Sequence, residues 1–150
     1  MQFSIAQFKP DKIKGPFSRS VIMATVEVTD ENLASLIEAN GTLIIDFWAD
    51  WCGPCKAFGP VFEAASERHA DVVFGKCDTE AQQKVAGMFQ VRSIPMVVVF
   101  REGIGIFQQA GALPAPALDE LLEKVAELDM DEVRAQVAAQ QASTPEPDAK

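Results

Sequence analysis

The chain has 150 residues, 48% of them hydrophobic, and a formal net charge of −9. That much apolar content supports one folded core and lies far from a disordered composition, while the acidic balance argues against nucleic acid or an anionic membrane as partner. No apolar stretch approaches the ~18 residues of a membrane span.

Residues 1–22 show no sustained period, contain Pro10, Gly15 and Pro16, and carry Lys9, Lys12, Lys14 and Arg19 against Asp11. They read as a basic, poorly ordered extension without the apolar core of a signal peptide. Met23 offers an alternative start, which would make the extension an artefact, and a targeting segment is the other reading. From there the pattern alternates. Residues 25–28 read as a strand, and Thr29 and Asp30 as caps of a helix whose apolar face is Leu33, Leu36 and Ile37, stopped near Gly41. Residues 43–48 are apolar on both faces, as buried parallel strands are. A helix runs from the cysteines to about His69, with Pro60 inside it expected to kink it. Residues 72–77 form a strand, 80–89 a helix and 96–100 a third apolar strand, and a turn at Arg101-Glu102-Gly103 leads into a hairpin strand over 104–109. Leu118, Leu121, Leu122 and Val125 mark a closing helix. Asp129 and Glu132 have capping-box spacing, which predicts a short extra helix to about Gln141. The rest is expected to be a disordered tail. Strands alternating with helices and ending in a hairpin imply an α/β fold with a central mixed sheet flanked by helices. The expected division is an extension over 1–22, one domain over 23–128, and a short helix with a tail over 129–150.

The chemistry concentrates at Trp51-Cys52-Gly53-Pro54-Cys55. Two cysteines at i and i+3 where a helix begins are surface neighbours, with Cα atoms roughly 5–6 Å apart, inside the disulfide window. Three cysteines in a chain this long are not a disulfide scaffold. A reducing, cytoplasmic setting is expected, and a lone close pair there reads as catalytic. Cys55 shares an apolar face with Phe58, Phe62 and Ala65 and should be buried. Cys52 sits at the tip, where unpaired N–H groups and the helix dipole favour a thiolate. Cys52 is thus the candidate nucleophile and Cys55 the resolving thiol. Gly53 leaves room for a second chain to approach, and Pro54 suits a first turn that needs no N–H. The competing readings are two inert core cysteines, or a zinc site that would need two more ligands from Cys77 and His69.

Asp46 lies within an apolar strand, where an ionised carboxylate is costly. It shares a strand face with Ile44 and Trp48 and is a candidate proton acceptor for Cys55. Lys76, in the next strand, either places an ammonium near Asp46 or snorkels to the surface. Pro95 must mark a strand end, since proline cannot donate to a ladder.

The series Asp46-Phe47-Trp48-Ala49, Trp51-Cys52-Gly53-Pro54-Cys55-Lys56, Pro60, Lys76, Ile94-Pro95, Gly103 and Gly111-Ala112 resembles the thioredoxin family over roughly residues 24–128. The resemblance implies the thioredoxin fold and a protein-disulfide reductase. It implies Cys52 as nucleophile, Cys55 as resolving thiol, Asp46 as buried proton acceptor with Lys76 beside it, and a cis Pro95 facing the disulfide. Ile94, Gly111 and Ala112 would line the groove for the partner's backbone, and Trp51 would flank the site. No cofactor would be bound; a thioredoxin reductase carrying the NADPH would recharge the protein, and disulfide-containing proteins would be its substrates. Met96 stands where threonine is commoner in the family, and Cys77 is an additional thiol, read as inert or regulatory. An oxidase or isomerase on the same fold, and a binding module with dispensable redox chemistry, are the alternatives.

Overall fold

The computed structural model describes residues 24–39 and 41–143; the expectations for 1–22 and for the tail beyond Ser143 lie outside the described residues. The elements in chain order are β1 (Thr25–Glu27), α1 (Leu33–Glu38), β2 (Thr42–Trp48), α2 (Gly53–Arg68), β3 (Val72–Asp78), α3 (Gln83–Met88), β4 (Met96–Arg101), β5 (Ile104–Ala110), α4 (Ala115–Ala126) and α5 (Met130–Ser143). The five strands form one sheet in the order β1-β3-β2-β4-β5. β3 pairs in parallel with β1 and β2, while β4 runs antiparallel to both β2 and β5. This is the mixed sheet expected from the alternating pattern.

The pleat divides the core into two layers. Ile44, Phe74, Val97 and Val99 face α2 and α4 and pack on Phe58, Phe62, Leu118 and Leu122. Leu43, Ile45, Phe47 and Val98 face the other way, onto Leu33 and Val85 of α1 and α3. The strand β2 is buried on both faces because it lies at the centre of the sheet. The hairpin turn places Glu102 and Gly103 at φ 53° and 82°, the left-handed pair that a two-residue connection between twisted strands requires.

Two local expectations are corrected. Neither Thr29 nor Asp30 caps α1, whose N-cap is Asn32 with no side-chain cap bond. The Thr29 hydroxyl instead accepts from the N–H groups of Glu31 and Asn32, closing a turn before the helix. Asp30 reaches across to accept from the Val85 N–H at 3.0 Å. The third helix is shorter than 80–89, because the Asp78 carboxylate accepts from the Glu80 and Ala81 N–H groups and holds that stretch as a turn. α2 continues through the exposed Pro60 to Arg68, without the N–H that would have bonded the Lys56 carbonyl. Asp129 does cap α5, its carboxylate accepting from the N–H groups of Asp131 and Glu132.

Candidate active site

The connection from β2 into α2 brings the cysteines to the end of the central strand. Cys52 is the N-cap of α2, in extended conformation, and Gly53 and Pro54 fill the first turn, exposed to solvent. The Cys52 sulphur accepts from the Cys55 N–H at 3.1 Å. It thereby receives one of the orphan donors of the helix start, the interaction that favours a thiolate there. Cys52 and Cys55 are joined as a disulfide, with Cα atoms 5.3 Å apart.

Both cysteines are nearly enclosed, Cys52 at 3% and Cys55 at 4% exposure. The expected contrast between an outer and a hidden thiol is therefore absent from side-chain exposure in the disulfide form. The physical reason is that the Cys52 side chain folds back over the helix end and lies 3.7 Å from the Ile94 carbonyl oxygen. Accessibility is instead set by the small or exposed residues around it, Gly53 and Pro54 on one side and the segment from Ile94 on the other.

The Ile94–Pro95 bond is cis. Pro95 is buried just before β4, and its carbonyl accepts from the Gly111 N–H at 2.8 Å. That bond draws Gly111, at φ 111°, and the exposed Ala112 to the same end of the sheet. Trp51 is 69% exposed, its indole N–H donating to Glu80 at 2.9 Å. Trp48 and Ile94 pack against the disulfide pair.

Asp46 is fully buried, and neither carboxylate oxygen has a hydrogen-bond partner among the described residues. Burial pushes its pKa up to about 7; the nearby Lys76 charge opposes this shift and Glu63 adds to it. Asp46 and Lys76 are register partners on β2 and β3 and so project to the same face, the one covered by α2. The Lys76 ammonium does not bond Asp46, however. It donates to Glu63 at 2.9 Å and lies 5.7 Å from the centre of the Trp48 ring. A cleft of about 250 Å³ opens beside Cys55, lined also by Trp48, Gly59, Pro60, Glu63 and Lys76, while Asp46 lies buried behind it.

Glu63 and Glu80 were not singled out by the sequence. Glu63 had a findable signal: it lies two helical turns beyond Cys55, on the stripe Cys55-Gly59-Glu63. Glu80 had none, because its contact with Trp51 depends on the loop after β3. Cys77 is fully buried on the opposite sheet face, and burial, aided by nearby carboxylates, pushes its thiol up to about 12. A thiol with so high a pKa stays neutral near pH 7. Among the described residues no group of three or more His, Cys, Asp or Glu side chains is arranged to hold a metal ion, and no helix is long and apolar enough to cross a membrane.

Residues 24–127 match the Thioredoxin family model. Over 119 residues the chain is 52% identical to "Putative thioredoxin 2" of Streptomyces coelicolor, a match covering 79% of this chain and 89% of that protein. It is 40% identical over 97 residues to thioredoxin of Mycobacterium tuberculosis, covering 63% of this chain and 84% of the relative. Among solved structures, oxidised mitochondrial thioredoxin 3 of Saccharomyces cerevisiae aligns with a TM-score of 0.63 at 31% identity, over 67% of this chain and 95% of that one. A mutant thioredoxin of Halobacterium salinarum aligns with a TM-score of 0.65 at 31% identity, over 71% and 95%. A match of this extent, carried by a chain whose paired cysteines close at the head of a helix, means that the protein belongs to the thioredoxin family and is a thiol-disulfide oxidoreductase of that fold.

Proposed function

We propose that the protein reduces disulfides in other proteins, with Cys52 attacking and Cys55 resolving. The observation that carries this reading is the Cys52 sulphur at the N-cap of α2, bonded to the Cys55 N–H and within disulfide reach of Cys55. In the reduced protein the Cys52 thiolate attacks one sulphur of a substrate disulfide. A Cys52–substrate disulfide forms, and the other substrate sulphur leaves as a thiolate. Cys55 then gives its proton to Asp46 and attacks the Cys52 sulphur. The Cys52–Cys55 disulfide forms, the second substrate thiolate leaves, and two electrons have passed from the pair to the substrate.

Asp46 suits the acceptor role because a carboxyl with a pKa of about 7 can take a proton and return it near neutral pH. Lys76 tunes Asp46 through its charge. Pro95 and Ile94 present backbone to the sulphur, and Gly111 and Ala112 extend the same edge as a groove for the partner's chain. Trp51, Gly53 and Pro54 form the exposed rim that a protein substrate meets.

Recharging requires an electron donor for the oxidised pair. A thioredoxin reductase fits, with NADPH bound to the reductase and no cofactor on this chain. A reducing cytoplasm fits as the setting, since there a lone close cysteine pair cycles rather than staying oxidised. The test is insulin-disulfide reduction with NADPH and a thioredoxin reductase, comparing the wild type with Cys52→Ser. The variant is expected to fall to the uncatalysed background; equal turnover by both proteins refutes the assignment.

A further inference from the structure

Lys76 faces a choice of two carboxylates. Its backbone sits beside that of Asp46 in the sheet register, yet its ammonium bonds Glu63, which projects from α2 across the cleft. Gly59 lies beside this bond: a Cβ added there would sit 3.6 Å from the Lys76 nitrogen, in ordinary contact. A longer side chain at that position would occupy the space between α2 and β3. The consequence is that Asp46 remains without a bonded partner while the one cation next to it in the sheet is engaged elsewhere.

We propose that Glu63 is a positioning residue: by holding the Lys76 ammonium at the cleft, it keeps that cation from neutralising Asp46 and so sets the pH at which Asp46 releases its proton. The surrounding groups leave this control to few hands. On the same sheet face β4 and α4 contribute the apolar side chains Val97, Val99, Leu118 and Leu122. From α2 the cleft is lined by Cys55, Lys56 and Glu63, and from the loop before it by Asp50. From β3 they are Lys76 and, at the strand end, Asp78, while Cys77 points to the opposite core. Asp119, on α4, is bonded to Arg68 and His69. The through-space influences on Asp46 run in the required senses, Lys76 lowering its pKa and Glu63 raising it.

The role of Glu63 is separable from the proton-acceptor role of Asp46, although its catalytic meaning rests on that reading. Asp46 titration is followed by carboxyl-carbon NMR on the oxidised protein. The resolving step is followed by stopped-flow decay of a mixed disulfide between Cys52 and an aromatic thiol. In Glu63→Gln the Asp46 midpoint is expected to fall by roughly one pH unit, the scale of a nearby opposite charge gained. Glu63→Asp, which keeps the charge, should stay near the wild type. Lys76→Met should raise the midpoint, and in that background Glu63→Gln should lose most of its effect. An unmoved midpoint in Glu63→Gln overturns the proposal, as does a shift that persists in full without Lys76. If the Asp46 midpoint moves while the pH profile of the resolving step does not, Glu63 controls Asp46 but Asp46 is not the acceptor, and the assignment under Proposed function fails instead.

Discussion

Asp46 is an acid that folding makes weaker, and that has a thermodynamic consequence with a definite sign. Its pKa rises from 3.8 to about 7 on burial. Below pH 4 it is protonated in both folded and unfolded chains and costs nothing extra. Between pH 4 and 7 the folded chain retains a proton that the unfolded chain has lost, so stability falls as pH rises through this window. Above 7 the penalty is fully present, on the order of 4 kcal/mol for a shift of this size. Asp46→Asn removes the ionisation but leaves a buried amide without partners, at a cost of about 1–3 kcal/mol. The variant should therefore be more stable than the wild type at pH 8 and lose that advantage by pH 4. Urea denaturation of the oxidised proteins at pH 4, 6 and 8 checks this, and a stability difference independent of pH would contradict the burial argument. At Cys77 the same desolvation, acting on a thiol, keeps it neutral near pH 7.

At the scale of elements, the weakest member of the sheet is β1, three residues long and at an edge. It is held by its parallel pairing to β3 and by Val28, which is fully buried just beyond it and whose N–H donates to the Lys76 carbonyl at 2.9 Å. The close fit rests on Gly75. A Cβ at that position would lie 2.5 Å from the Val28 Cγ2, closer than carbon atoms pack, in a layer with no free space to yield. Gly75→Ala should destabilise the fold by about 1–3 kcal/mol. Val28→Ala removes the clashing methyl, so the double variant should lose clearly less than the two single losses combined. Chemical denaturation of the four proteins measures this coupling. Strict additivity would show that β1 shifts freely and that Gly75 is not the constraint. Arg101 fixes another junction: one guanidinium nitrogen donates to the carbonyls of Val125 and Ala126 at the end of α4 and of Leu128 just beyond it, tying the hairpin to the α4–α5 connection.

At the scale of the whole molecule, the features that sequence conveyed were those carried by local periodicity and by single misplaced residues. The alternation of strands and helices, the hairpin turn at Glu102-Gly103, the capping Asp129 and the ionisable Asp46 within an apolar strand all act through near neighbours in the chain. What stayed hidden depends on which distant backbones meet. Glu63 acquires meaning only because β3 lies next to β2, Glu80 only because its loop meets Trp51, and Asp30 only because α3 lies within its reach. The same contrast between local and long-range ties marks α5. Its visible ties to the rest of the fold are these: Met130 is buried, Arg134 pairs with Glu102 at 2.6 Å, Val133 and Val137 are half-buried, and most of its other described residues are exposed. A helix of 14 residues has little stability of its own in water, and exposed ion pairs add little. It should therefore open as a separate unit, well below the free energy of global unfolding. Met130→Ala removes its buried anchor, and amide exchange across residues 131–143 should then accelerate by roughly tenfold or more, the scale of losing ~1.5 kcal/mol of apolar burial. Exchange in β2 and β4, and the rate of insulin reduction, should not change, because the disulfide lies at the opposite end of β2 from the Arg101–Glu102 turn that α5 grips. Acceleration spread equally through the sheet would mean that α5 is part of the cooperative core after all.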